Sequence, residues 1–480
     1  MTPRSAPTAW HYRWAAFGMA VLTVYGSLLP FQYQPKSWDE AIARFARITE
    51  FDPSELEARG DWIVSTVQFA ILGFVSMGAL CVDRRGIWGW FAAPVVIAAI
   101  VALAIGIEFA QVYFPPRTVS INDIQFESLG GCLGTIGWLI AGQRITSWAR
   151  RIGKVTTLAG FASRLLPGYL AVLLIVQLMP FDFIVRYDEL AVKYSEGKVR
   201  LNPWPVDAMR PWDMATKSLL NFACFVPLGL LHSLARRHAG APQHNSDVPW
   251  ASFAAPILIE FLQFFVYSRT SNTVDVLTGM LGVAAGWRLA RLVRPSDASG
   301  HSTSTFKMLR PALFLVWLAI VVYLYWRPFD FTVNPERFRA DREDWPMYGF
   351  RRFTLAPFAD YYWNSKYTAL DLFVRKAFSF MPLGVLGALS LRDLNRRNAA
   401  AGTMFTAFVV AVILEAGRYF LPARSPSSTD VLIACAGAWL GFRVTQHVRL
   451  VLWAESALHS WPGVPPSGTR VPPLKWITGP

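Results

Sequence analysis

A block of 27 residues occurs three times in this chain, so the fold must accommodate it three times. The first copy runs from Glu108 to Gly134. Counting from Glu108, Gln111 stands at +3, Arg117 at +9, Ser120 at +12, Asp123 at +15, Gly130 at +22 and Gly134 at +26. From Glu260 the same offsets give Gln263, Arg269, Asn272, Asp275, Gly282 and Gly286. From Glu415 they give Arg418, Arg424, Ser427, Asp430, Gly437 and Gly441. The register holds without a gap, which marks an internal repeat.

The residues around these blocks are apolar over lengths that suit a bilayer. Runs such as Trp14–Leu29, Val64–Cys81 and Trp88–Tyr113 approach the ~20 apolar residues a spanning helix needs. Charged residues make up only 16% of the chain, against roughly a quarter in soluble domains. Twelve such runs can be counted, four per repeat. The reading is an all-α polytopic membrane protein of about 12 transmembrane helices, arranged as three parallel four-helix repeats. The four cysteines lie within or at the ends of apolar runs with no paired spacing, so neither a disulfide framework nor a metal site is indicated. Trp14–Leu29 leads into Pro30-Phe31 rather than a small-residue cleavage site and is read as a retained first span.

Every repeat has one plan. Its first span ends in Pro-Phe (Pro30-Phe31, Pro180-Phe181, Pro328-Phe329), a long polar loop follows, and three further spans complete the unit. The short links are basic. Residues 143–164 carry five basic and no acidic residues, and 288–310 carry five basic and one acidic. Loop 31–60, by contrast, has four basic and six acidic. Short loops rich in Lys and Arg stay cytoplasmic. Both termini are therefore expected inside and the Pro-Phe ends outside. The net charge of +14 is explained by these links, so nucleic acid is not an expected partner. An even number of spans per repeat makes the repeats parallel, unlike transporters built on inverted halves. The stretch from 451 to 480, with its Trp-Pro-Gly-Val-Pro-Pro run, reads as a Pro-rich cytoplasmic tail.

This topology gathers all the recurrent polar residues at the outer face, where two readings compete. In the structural one, Ser120-x-x-Asp123, Asn272-x-x-Asp275 and Ser427-x-x-Asp430 cap the fourth span of each unit. The arginines neutralise a carboxylate, and the Gly-x3-Gly pairs let the fourth span pack closely. In the functional one, the Glu, Gln, Arg and Asp positions hold the headgroup of a lipid or a lipid-linked, amphiphilic ligand. Asn221, in a span-2 segment Asn-x3-Phe-x-Pro-Leu-Gly, belongs to the same candidate set. The seven histidines lie in the expected cytoplasmic links or near the termini, away from this set. No nucleophile elbow, phosphate loop or metalloprotease helix is present, so no cofactor is expected and an enzyme is the less favoured reading.

In combination these residues resemble the VanZ-like family of bacterial membrane proteins. The resemblance covers three tandem units, at 14–145, 163–292 and 310–446. It is carried by Asn221 with Phe225, Pro227, Leu228 and Gly229, and by the Glu…Gln, Arg, Ser and Asp positions above. It implies a multi-pass protein of the bacterial inner membrane and cell envelope, with a link to glycopeptide (teicoplanin) antibiotic resistance. A transporter or flippase of an amphiphilic substrate, and a membrane enzyme acting on envelope lipids, stand as alternatives. The units depart from one another: repeat 1 has Ser65 and Ile71 in place of Asn221 and Pro227, and repeat 3 has Arg418 for the Gln and Lys376 for the Asn.

Overall fold

The computed structural model describes residues 7–29, 31–47, 56–84, 87–115, 117–152, 157–179, 181–200, 211–236, 249–292, 303–327, 329–333, 357–358, 366–391, 395–421 and 426–459. Within them the chain is almost wholly helical. Repeat 1 contains α1 (Ala9–Leu28), α2 (Trp38–Phe45), α3 (Leu56–Cys81), α4 (Trp88–Gln111) and α5 (Ile121–Gly137). A π-helical turn, Trp138–Gly142, carries α5 into α6 (Gln143–Ile152). Repeat 2 contains α7 (Leu158–Leu178), α8 (Tyr187–Ser195), α9 (Pro211–Ala235), α10 (Trp250–Gln263) and α11 (Thr273–Leu292). Repeat 3 contains α12 (Thr303–Trp326), α13 (Lys366–Ser390), α14 (Arg396–Arg418) and α15 (Ser428–His459). Two dipeptide strands, β1 (Val199–Arg200) and β2 (Ser271–Asn272), pair in parallel beside α11.

A helix occupies each of the twelve apolar stretches. Seven are long and apolar enough to cross a membrane by length and composition, among the described residues: α3, α4, α7, α9, α13, α14 and α15. The other five fall short for visible reasons. The π turn ends α5 after 17 residues, α10 has 14, and the apolar part of α12 is Pro311–Trp326. Arg13 lies in α1, while Asp275, Arg288 and Arg291 lie in α11, which lowers the mean hydropathy of both. The last helix continues to His459, beyond the boundary expected at 451. Two of the long loops, expected to be merely polar, hold the short helices α2 and α8. Ser37 caps α2 through the Glu40 N–H at 3.2 Å, and Glu189 folds back on the Val185 N–H at 2.9 Å to start α8.

The closest packing in every unit is between its second and fourth spans, α3 on α5, α9 on α11 and α13 on α15. Glycine makes this possible from both sides. A methyl group on Gly130 or Gly134 would strike the carbonyls of Thr66 or Ala70 in α3, and Gly282 and Gly286 meet Phe222 and Val226 in the same way. Gly437 and Gly441 face Ala377 and Met381. Reciprocally, Gly229 of α9 lies against Val283 and Gly384 of α13 against Ala438. Without a hydrophobic drive between helices in lipid, such backbone approach is the main source of association. Buried clusters fill the remainder, with Phe69, Met77, Ile100 and Trp138 in unit 1, Phe225 and Ile259 in unit 2, and Phe380 and Leu414 in unit 3. A further cluster, Leu158, Phe161, Leu234 and Val451, joins units 2 and 3 at the basic end.

Candidate functional site

The Pro-Phe turn determines what its neighbours must do. Phe31, Phe181 and Phe329 all adopt left-handed backbone, with φ of 64°, 66° and 67°. Such a conformation costs a bulky residue about 1–3 kcal/mol and recurs at the same point of each unit. Each Phe N–H bonds three residues back, to Leu28, Leu178 and Trp326 at 2.9, 3.0 and 2.7 Å. Two carbonyls of the first span thereby lose their helical donors. One is four residues before the proline, which has no N–H. The other is four residues before the phenylalanine, whose N–H has been diverted.

The +3 and +9 side chains serve those two carbonyls. Gln111 Nε2 donates to Ser27 O at 3.2 Å, and Gln263 Nε2 to Gln177 O at 2.8 Å. Arg117 Nη2 donates to Gly26 O at 2.8 Å, with its Nε on Leu29 O at 2.7 Å. Arg269 Nη2 donates to Val176 O at 2.9 Å, with its Nε on Met179 O. The carbonyls are equivalent in the two units. The fork of each arginine thus closes the end of the first span. The peptide chain beyond each turn also returns to one place: Gln34, Ile184 and Thr332 donate to Tyr113, Phe265 and Phe420 at 2.8, 2.8 and 2.9 Å.

The glutamates hold the start of the fourth span. Glu108 Oε2 accepts from Ser120 N at 2.9 Å, Glu415 Oε2 from Ser427 N at 2.9 Å, and Glu260 Oε1 from Asn272 N. This is the N–H that the aspartate would take in a capping box. Asn272 and Ser427 still cap, through Val274 N at 3.0 Å and Thr429 N at 3.1 Å. Ser120 does not: its Oγ is buried with no hydrogen-bond partner, so the capping role expected of it is corrected.

With that donor taken by the glutamate, Asp275 and Asp430 are turned to cations. In unit 3, Lys376 Nζ lies 2.5 Å from Asp430 Oδ1, and Arg418 Nη1 lies 2.5 Å from Asp430 Oδ2 and 2.8 Å from Glu415 Oε1. Two acids and two bases form one sealed group, in which the Asp430 side chain is 1% exposed. In unit 2, Lys217 reaches Asp275 Oδ2 at 2.7 Å from one helical turn earlier on α9, and its side chain remains 43% exposed. Asn221 ties α7, α9 and α11 together, accepting from Gln177 at 3.0 Å and donating to Asp275 O at 2.6 Å and Thr278 Oγ1 at 2.9 Å. Unit 1 has Asp61 and Ser65 at the two lysine positions. Its Asp123 heads α5 without a lysine in either place.

Two lysines from the loops complete this end. Lys36 Nζ donates to Val112 O at 2.5 Å beyond α4. Lys193, fully buried, donates to Gln263, Phe264 and Val266 carbonyls at 2.8, 2.9 and 2.7 Å beyond α10. Burial lowers the Lys193 ammonium to about 8, against the pull of Asp182. Burial likewise raises the Asp182 carboxyl, opposed by the N–H and hydroxyl of Ser268. The sequence reading missed Lys217, Lys193 and Lys36. A lysine one turn before Asn221 was the only signal for the first, and nothing in the loops announced the other two. Arg424 lies outside the described residues, as do Pro30, Pro180, Pro328 and the chain beyond His459. Of the remaining candidates, all lie at this one end of the helices, gathered unit by unit rather than into a single shared site. Among the described residues no group of His, Cys, Asp and Glu could hold a metal ion.

A multi-pass, almost wholly helical membrane protein with a polar cluster at one end of each repeated segment is the class this architecture defines. A family model described as VanZ/LLP1 matches three times, over residues 7–142, 147–294 and 312–449. The chain belongs to the VanZ-like family and carries three tandem copies of its unit. No curated protein and no solved structure matches it.

Proposed function

We propose that this protein works in the bacterial inner membrane, with twelve spans and both termini cytoplasmic, and engages an amphiphilic or lipid-linked ligand at its outer face. The observation that carries the reading is Lys217, whose side chain is 43% exposed, paired with Asp275 in unit 2. The corresponding cation in unit 3, Lys376, pairs with the buried Asp430 and is only 19% exposed. The Gln and Arg side chains of units 1 and 2 are committed to backbone carbonyls and belong to the scaffold. Unit 2 therefore presents the ionic pair that a headgroup can reach, while unit 3 supports the fold. Lys217 offers a strongly hydrated point charge suited to phosphate or carboxylate. In the cell such engagement would reduce glycopeptide action at the surface, consistent with the family's association with teicoplanin.

The test is teicoplanin susceptibility of cells producing Lys217→Gln protein, scored beside protein amount and melting temperature in detergent. Loss of protection with stability retained supports the reading. Unchanged protection in a stable, well-produced variant refutes it.

A further inference from the structure

The junction of units 2 and 3 at the basic end closes over a histidine. His447 of α15 lays its ring on Phe161 of α7, with centroids 4.9 Å apart, and the Ile152 carbonyl that ends α6 reaches the same ring. Phe161 belongs to the apolar cluster that ties α7 and α9 to α15 through Leu158, Leu234 and Val451, and α7 packs on both α6 and α15. Segments of all three units thus converge on this imidazole. Its Nε2 is buried and has no hydrogen-bond partner. A neutral ring has one donor and one acceptor, whereas a protonated ring has two donors and a charge. The Ile152 carbonyl can take one donor, and among the described residues nothing takes the one at Nε2. The charged groups around the ring are cations. Arg396 enters from the start of α14, and Arg443 stands one turn earlier on α15. Arg449 faces the Ala388 carbonyl of α13 at 3.1 Å, and Arg164 of α7 faces the Arg151 carbonyl of α6. α9 and α11 contribute only apolar contact here, through Leu234 and Ala290. Among the described residues no carboxylate joins this group to receive the charge.

We infer that His447 is a proton-operated lock: neutral, it holds the basic ends of the units together, and protonated it drives the α7–α15 contact apart. The added charge sits beside two arginines with no acceptor for its second N–H, an arrangement that is costly away from water. Opening the junction relieves it. Protonation therefore costs less in the open junction than in the closed one, and acid favours opening. An unperturbed imidazole takes its proton at about 6.5, and one such group moves the equilibrium by up to about tenfold per pH unit below that value. His232, at the same end of unit 2, turns instead to Ser252 of α10 at 2.6 Å. In the proposed topology the lock responds to cytoplasmic acidification. It stands apart from the ligand reading at the polar end.

The experiment places spin labels on the full chain in lipid nanodiscs, through Ser163→Cys on α7 and Leu450→Cys on α15 in a cysteine-free background. Both positions are exposed. Their separation is read by electron–electron double resonance at about one pH unit above and one below the free imidazole value. The protein with His447 is expected to gain a longer-distance population at the acid pH. His447→Phe keeps the short distance at both pH values, and His447→Arg shows the long one at both. If the arginine variant does not fold, the phenylalanine comparison decides. A distance that does not change with pH while His447 is present overturns the inference, as does an acid response that survives His447→Phe. Either failure leaves the Lys217→Gln susceptibility assay untouched, because that assay reads the polar end.

Discussion

Replacing Arg269 with alanine strips the guanidinium from the Val176 and Met179 carbonyls at the end of α7. Val176 O cannot recover a helical donor, because the residue four positions on is Pro180. Leaving a buried carbonyl unsatisfied costs about 1–3 kcal/mol, so two give a loss of roughly 2–6 kcal/mol. Gln263 serves the adjacent carbonyl of Gln177, and its removal frays the same helix end. The pair Arg269→Ala and Gln263→Ala should therefore be less than additive. Asp275→Ala acts on the Lys217 pair instead and should add to Arg269→Ala within about 0.5 kcal/mol. The assay is a double-mutant cycle of unfolding in mixed micelles. Strong coupling of Arg269 to Asp275, with none to Gln263, would refute the assignment of the arginine to the Pro-Phe turn.

The other predictions concern packing, charge and pH. Gly286→Leu drives a side chain into the Val226 carbonyl and should abolish stable folding, while Gly106→Leu, with nothing within 4 Å of the added carbon, should be tolerated; yield of monodisperse protein decides. Asp430→Ala leaves Lys376 and Arg418 without their shared acid and should cost about 3–5 kcal/mol, whereas Asp275→Ala, facing the half-exposed Lys217, should cost about 1 kcal/mol or less through that ion pair. Lys193 loses its proton near 8 in the folded protein and near 10.4 when unfolded. In that window the unfolded chain binds more protons, so stability should rise with pH. Melting temperature should increase between those values, and Lys193→Met should flatten the trend.

Much of this was legible because the informative residues lie in one unbroken block. Glu108, Ser120 and Asp123 sit on two helices joined by a short turn, so their offsets survive in all units, and Gly130 and Gly134 announce close packing wherever they fall. What the arginines touch was not legible. Their partners are backbone carbonyls about 90 residues upstream, which carry no side-chain signature. Only the Pro-Phe dipeptide hinted at orphaned acceptors, and it was read as a span end. Lys217 and Lys376 escaped as counterparts because their positions differ by one helical turn, and each reaches the aspartate of its own unit, Asp275 or Asp430, only once α9 and α13 are packed on α11 and α15. The helices α2 and α8 are too short for a periodic signal to rise above that of a polar loop.

Everything proposed for the polar end depends on its facing outward. The most direct test is labelling of single cysteines, in a cysteine-free background, with a membrane-impermeant maleimide applied to intact spheroplasts. Tyr194, 71% exposed on α8, and Ser147, exposed on α6, lie at opposite ends of the units. Tyr194→Cys should label before lysis and Ser147→Cys only after it. The reverse order would place the Lys217–Asp275 pair in the cytoplasm and contradict the account.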